Sequence, residues 1–309
     1  MTTVTENTSA IPAQFAAISD DGIVETYTAD LSGIKTIVES HVQGVARFGN
    51  YIILTHNNKG ESKGFLFVLD VTTKQMLYQF NTDREHVNHP GGIQRLGSLL
   101  AVPVETGNDT GAKSSYICFY DLTLMTSANR PVLQPQIIDR SSRGTGAVGM
   151  TSYTVNGQTS FLIAAYDNGE TDFYTSDEIP GTSFDFAQFA FSSPLSDKGY
   201  SSLCLFTAAD PDGNRAVYMV GFRTEKLFST ADDYMDLYLV DVQRKFVTQV
   251  QDARHMICHH GALVGESGVH FRWSAGLDID EATGAFTVLA GQRNVLASRL
   301  AINTFKSLT

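Results

Sequence analysis

The stretch His41-Val-Gln-Gly44-Val45-Ala-Arg-Phe-Gly49-Asn-Tyr-Ile-Ile-Leu returns 48 positions later as His89-Pro-Gly-Gly92-Ile93-Gln-Arg-Leu-Gly97-Ser-Leu-Leu-Ala-Val. Both copies place a histidine, a small residue, an aliphatic, an arginine and a second glycine at matching positions. A fixed period in this range is the sequence signature of a repeated unit that stacks on its neighbours. Around these copies a 3.6-residue period is hard to find, whereas short runs of β-branched, aromatic and aliphatic residues recur between turn signals. The chain reads as all-β.

Working outward, each unit reads as an inner strand, a tight turn, a second strand, a longer loop, a third strand and a fourth. The first runs over His41 to Phe48, Tyr51 to His56, Phe65 to Val71 and Gln75 to Phe80. The second runs over His89 to Leu96, Leu99 to Glu105, Tyr116 to Leu122 and Val132 to Ile138. The third begins at Gly146 to Met150, turns at Asn156-Gly157, a strong hairpin dipeptide, and continues through Phe161 to Tyr166 and Thr171 to Thr175. The fourth begins at Gly199 to Leu203 and continues through Ala216 to Phe222, Asp236 to Val242 and Phe246 to Gln251. The fifth, Phe271 to Leu277, Phe286 to Gly291 and Ser298 to Phe305, supplies three strands, and Ile23 to Tyr27 is expected to complete it.

Aligned on the small residue before the aliphatic, the units give Gly44, Gly92, Gly149, Ser202 and Gly276, spaced 48, 57, 53 and 74 positions apart. Inner strands that converge on an axis need small residues there, because strand glycines mark close backbone approach. The expectation is a five-bladed β-propeller of four-stranded blades whose last blade is closed by an N-terminal strand, which removes exposed edges. Residues 1–21 read as an N-terminal tail and residues 22–309 as one propeller domain. A β-sandwich of diverged hairpins is the competing reading, and the repeat argues against it.

The 309 residues are 42% hydrophobic and 18% charged, enough to bury a large core. A net charge of −11 without long acidic runs argues against nucleic acid and anionic membranes as partners, since both attract clustered Lys and Arg. No stretch approaches the ~20 apolar residues that span a bilayer. The first residues lack the basic and apolar regions of a secretory signal, so a chain beginning here is expected in the cytoplasm. Cys118 and Cys204 lie inside apolar runs and read, in a chain with three cysteines, as buried thiols rather than a disulfide framework. Gly-x-Gly-x-x-Gly, Walker, Gly-x-Ser-x-Gly and His-Glu-x-x-His motifs are missing, which argues against nucleotide-driven or serine-hydrolase chemistry.

In a propeller the loops joining second to third strands and those leading into inner strands open on one face. All eight histidines are expected there: His41, His86 and His89 at or before inner strands, His56 at the end of a second strand, and His255, His259, His260 and His270 between the fourth and fifth units. Imidazole titrates near ~6.5 and serves as acid, base or metal ligand. His41 and His89 are the candidate acid and base, with Glu105 or Asp167 orienting them. His56, Asp167, Tyr200, Arg272, Trp273 and Arg293 are candidate ligand-binding residues, the guanidiniums for an anionic group and the aromatic faces for the ligand body. Arg223 and Gln292 join the same rim. No cofactor is expected. A metal ion remains open, at His255-Met-Ile-Cys258-His259-His260 or across blades at His41 and His89, although Cys258 and His259 point opposite ways in an extended segment.

Over residues 22 to 305 the chain resembles a five-bladed propeller, a fold shared by certain glycoside hydrolases and by a lectin type. The glycosidase resemblance implies carboxylates on the inner strands, and the matching places here hold His41 and His89. The lectin resemblance implies near-identical blades with repeated sugar sites, and these blades share little beyond the small-residue ring. The expected function is one asymmetric small-molecule pocket at the channel mouth, acting on a small organic or sugar-like substrate as a lyase, isomerase, cyclase or hydrolase. A ligand-binding or protein-interaction propeller without turnover is the alternative. Substrate identity and oligomeric state stay open.

Overall fold

Successive side chains of a strand point to opposite faces, so a strand buried on both sides must be apolar throughout. Phe65–Asp70, FLFVLD, is such a strand: Phe65, Phe67 and Leu69 enter one apolar cluster, and Leu66 and Val68 enter the next. The structure is a computed structural model that describes residues 11–31, 40–58, 62–82, 84, 87–106, 114–140, 143–155, 157–176, 188–195, 198–209, 215–227, 230–260, 267–280 and 283–307. Across it the same alternation repeats in five blades.

Blade 1 comprises Val42–Phe48, Tyr51–His56, Phe65–Asp70 and Gln75–Asn81. Blade 2 comprises His89–Pro90 with Gln94–Leu96, then Leu99–Glu105, Ser115–Asp121 and Val132–Asp139. Blade 3 comprises Ala147–Val155, Gln158–Asp167, Glu170–Thr175 and Gln188–Pro194. Blade 4 comprises Ser202–Ala209, Arg215–Leu227, Thr230–Asp241 and Phe246–Met256. Blade 5 comprises Ala275–Ile279, Phe286–Gly291, Arg299–Lys306 and the N-terminal Ile23–Thr28, which pairs antiparallel from Ile23↔Thr304 to Thr28↔Arg299. The N-terminal closure expected from the sequence is therefore present. A single parallel pair, Thr28↔Gln75, also joins the outer strands of blades 5 and 1.

Each neighbouring pair of blades encloses its own apolar cluster. Phe119 and Met150 lie between blades 2 and 3, Tyr166 and Met219 between blades 3 and 4, and Leu54 and Leu289 between blades 5 and 1. Burying one such side chain contributes roughly 1.5–3 kcal/mol, so closing the ring completes the last of these interfaces. Cys118 and Cys204 are buried in the clusters as expected, and burial pushes the Cys204 thiol up to about 12 despite a hydrogen bond from the Leu277 N–H.

The two glycines of the opening stretch serve different ends. Gly49 and Gly97 sit at φ +57° in the turns between first and second strands, where a side chain would meet nothing within 4 Å. They are needed for conformation. Gly44 and Gly92 are needed for space. A Cβ on Gly44 would lie 2.6 Å from the Gly91 carbonyl oxygen, and one on Gly92 would lie 2.6 Å from the Ser201 carbonyl oxygen. Gly149 packs on Leu205, and Gly276 packs on the Val45 carbonyl, so the small-residue ring does line the axis.

Departures from the expected strands have local causes. The second inner strand is interrupted at Gly91-Gly92, whose backbone instead bridges to Ala147 and bonds to Gly146. The second and third strands of blade 4 form a hairpin reaching Leu227 and Thr230, longer than read, and its outer strand runs on to Met256, taking in His255. The segment expected as a tail contains a helix, Ile11–Ala16, with Ile11 and Phe15 buried against blades 4 and 5. Arg254 fixes it, donating 2.7 Å hydrogen bonds to the carbonyls of Phe15 and Ile18. Among the described residues no helix is long and apolar enough to cross a membrane.

Candidate functional site at the channel mouth

Inner strands start, and second strands end, at the upper mouth of the channel. Below it the channel is plugged by Gln94. Its carboxamide oxygen accepts from Met150 N and Leu205 N, and its nitrogen donates to Leu205 O, each at 2.7 Å. One side chain thus ties blades 2, 3 and 4 together and separates the two mouths.

Around the upper mouth a chain of contacts crosses four blades. The guanidiniums of Arg272 and Arg293 stack on Trp273, 4.5 and 4.6 Å from its ring. Trp273 meets the His41 ring edge-on at 5.1 Å. The Gln43 carboxamide nitrogen contacts His41 Nε2 and lies 2.8 Å from His89 Nε2. His89 Nδ1 is 3.1 Å from Glu105 Oε1, and the other Glu105 oxygen accepts from Thr145 N at 2.8 Å. The next amide, Gly144 N, donates to Asp167 Oδ2 at 2.9 Å. Two carboxylates from adjacent blades are therefore anchored on consecutive backbone N–H groups.

These partners decide the protonation of the histidines. A carboxylate only accepts, so Nδ1 of His89 carries the proton it donates to Glu105. Its Nε2 then accepts from the Gln43 NH2, whose second hydrogen serves Nε2 of His41 in the same way. These contacts are those of Nδ1–H tautomers, with the Nε2 lone pairs engaged by Gln43. Sequence reading missed Gln43. Its signal is proximity: it lies two positions after His41, where the register shifts between Val42 and Gly44.

Over the mouth lies a cavity of about 690 Å³ whose described lining includes Glu105, Asp167, Tyr166, Tyr200, Arg143 and Arg272. Of the residues singled out from sequence, Glu105, Asp167, Tyr200 and Arg272 reach it. His89 and Trp273 stand beside it, in contact with Glu105 and Arg272 respectively, and His41 and Arg293 pack on Trp273 behind them. His56 does not join them: it is 2% exposed, stacked on Phe65 at 4.8 Å, and hydrogen-bonded to the Asn57 carbonyl. Burial pulls its pKa down to about 4, so it is a neutral core residue and its assignment to ligand binding is corrected. His86 lies outside the described residues.

Buried charge supports the walls. Asp236 accepts from Tyr200 at 3.0 Å, Arg223 at 2.7 Å and Lys198 at 2.9 Å, while burial, with the Tyr238 and Asp236 contacts, drives the Tyr200 phenol well up. Tyr200 is thereby held as a neutral donor at the cavity wall. Asp172 binds Arg140 at 2.9 Å and the cavity-lining Arg143 at 2.6 Å. Asp172 and Asp236 escaped sequence reading because buried acids are recognisable only from the partners that neutralise them. Gln292 is spent on the backbone, donating to Asn294 O at 2.6 Å.

The His255 to His260 run is taken up by separate partners. His259 Nε2 lies 2.6 Å from Asp21, the ring of His260 packs 4.8 Å from that of His270, and His270 Nδ1 bonds Asp233 at 2.9 Å. Burial and the neighbouring Asp233 push the Cys258 thiol well up. Among the described residues no group of three or more His, Cys, Asp or Glu is placed to hold a metal ion.

No family model matches the chain, and no curated protein matches it in sequence. Its structure is similar to a Bombyx mori GH32 beta-fructofuranosidase mutant in complex with sucrose, with 10% identity, 97% of this chain and 66% of the other covered, and a TM-score of 0.45. The Bombyx mori GH32 beta-fructofuranosidase itself gives 10% identity, coverage of 94% and 63%, and a TM-score of 0.44. A subtype N10 neuraminidase-like protein of A/little yellow-shouldered bat/Guatemala/060/2010 gives 9% identity, coverage of 86% and 79%, and a TM-score of 0.40. The chain spans about two thirds of the length of the beta-fructofuranosidases. At that distance no activity passes from any of them to this chain.

Proposed function

We propose that the upper-mouth cavity binds one small organic or sugar-like molecule and turns it over by acid–base chemistry. The observation that carries this reading is the carboxylate pair: Glu105 and Asp167 line one cavity and are held by consecutive amides at 2.8 and 2.9 Å. Paired carboxylates facing one ligand can divide the roles of proton acceptor and donor. Glu105 takes the acceptor's role, because the Nδ1–H of His89 behind it favours its ionised form. Arg272, stacked on Trp273 and open to the cavity, holds an anionic or hydroxyl-rich end of the ligand. Tyr166 and Tyr200 face its body. Lyase, isomerase, cyclase and hydrolase steps without a nucleotide cofactor all fit this arrangement.

Binding without turnover is the second reading, and one observation favours it. The Nε2 lone pairs of both histidines are engaged by Gln43, so neither ring is free to take a proton from a ligand in this state.

A thermal-shift screen of hydroxy acids, sugar acids and neutral sugars separates the outcomes. The expected result is a stabilising compound whose effect is lost in Arg272→Ala, and whose turnover falls about 10²–10⁴-fold in Glu105→Gln while binding persists. Binding with no turnover in the parent establishes the second reading. Unchanged turnover in Glu105→Gln and in Asp167→Asn overturns the first.

A further inference from the structure

We infer that the lower mouth of the channel is a second binding site, built for a small oxyanion of the phosphate or sulfate class. Beneath the Gln94 plug is a recess of about 50 Å³ walled by the inner strands of all five blades, with Val45, Ile93, Leu205 and Leu277 as its apolar sides. So small a recess suits a compact anion rather than a metabolite-sized molecule. Its rim carries Arg47, Arg95 and Arg215.

The charges there do not cancel. Asp278, the carboxylate in the described lining, is paired with Arg95 at 2.7 Å, and Arg95 spends its other nitrogens on the carbonyls of Arg47 and Gly97. Arg47 donates its Nε to Gly49 O at 3.0 Å, and its terminal nitrogens meet no described carboxylate. Arg215 likewise forms no ion pair with a described residue. Arg47 and the exposed Arg215 thus stand at the rim of a recess with apolar walls, neither paired with a described carboxylate, in a chain whose net charge is −11. Thr151 and Thr207 line the far side, where the Thr207 hydroxyl donates to the Ser152 carbonyl at 2.6 Å. A planar fork offers two parallel N–H groups to a tetrahedral oxyanion, which selects this ligand class.

The test is calorimetric titration of the full chain with inorganic phosphate, and separately sulfate, at low ionic strength. Saturable binding is expected, weakened at least about tenfold in Arg47→Ala and in Arg215→Ala and unchanged in Arg272→Ala. Arg47→Lys keeps the charge but not the fork, and is expected to fall between. Should an alanine variant unfold, amide NMR shifts of the parent decide: phosphate must move Thr151 and Thr207. Absence of saturable binding, binding that survives loss of both arginines, or binding abolished by Arg272→Ala overturns the inference. The last control keeps it independent of the upper-mouth reading.

Discussion

Replacing His56 by phenylalanine should make the protein less sensitive to acid. His56 is 2% exposed, and burial lowers its pKa to about 4 in the folded state, against about 6.5 in an unfolded chain. A depressed pKa on a base means that the folded protein refuses a proton the unfolded chain accepts. Stability from this residue is therefore fully present above pH 6.5 and is lost as pH falls toward 4. One pKa unit corresponds to about 1.4 kcal/mol, so the full loss is about 3 kcal/mol, with about 2 kcal/mol already lost at pH 5. His56→Phe keeps the stacking on Phe65 and gives up the hydrogen bond to Asn57 O, at a cost of about 1 kcal/mol at pH 8. Urea unfolding of both proteins at pH 8 and pH 5 checks this, because all other titrating groups are shared. The variant should gain about 2 kcal/mol relative to the parent between the two pH values. A difference that stays constant with pH refutes the placement of His56 as a buried neutral base.

The two kinds of glycine in the opening stretch can be told apart by substitution. Gly44→Ala forces a Cβ to within 2.6 Å of the Gly91 carbonyl oxygen and should cost about 1–3 kcal/mol or more in urea unfolding, whereas Gly49→Asn, in open space at φ +57°, should cost under about 1 kcal/mol. Removing the shared donor with Gln43→Leu should release His41 from its Nδ1–H tautomer but leave His89 in it, since Glu105 still accepts from Nδ1. Nitrogen-15 shifts of the imidazoles read this directly, and equal behaviour of the two rings contradicts the proton assignment.

The architecture was legible because the repeat and the period-2 runs both report on backbone packing. Tyr51–His56 and Leu99–Glu105 match the residues read from sequence, since each follows a tight turn and is apolar on both faces. Gln188–Pro194 went unread: it is an outer strand whose Phe189 is 57% exposed while Phe191 is buried, a weak alternation beside a proline. The site was legible in its location more than in its roles. Topology placed Glu105 at the upper mouth with the histidines, but which side chain faces the cavity depends on rotamers and on partners such as Gln43 and Thr145 N, which are distant in sequence from Glu105. His56 shows the same limit. One end of a strand held both a rim residue of blade 2, Glu105, and a core residue of blade 1, and spacing alone could not separate them.

The most direct test of the account is an amide NMR titration with whichever compound stabilises the protein most in the thermal-shift screen. Glu105 and Asp167 are tied to Thr145 N and Gly144 N, so ligand binding at the upper mouth must move those two consecutive amides, and the response at Thr145 must be altered in Glu105→Gln. Shifts confined to the outer strands or to the lower mouth, or a panel in which no compound binds at all, contradict the assignment of the upper-mouth cavity as the functional site.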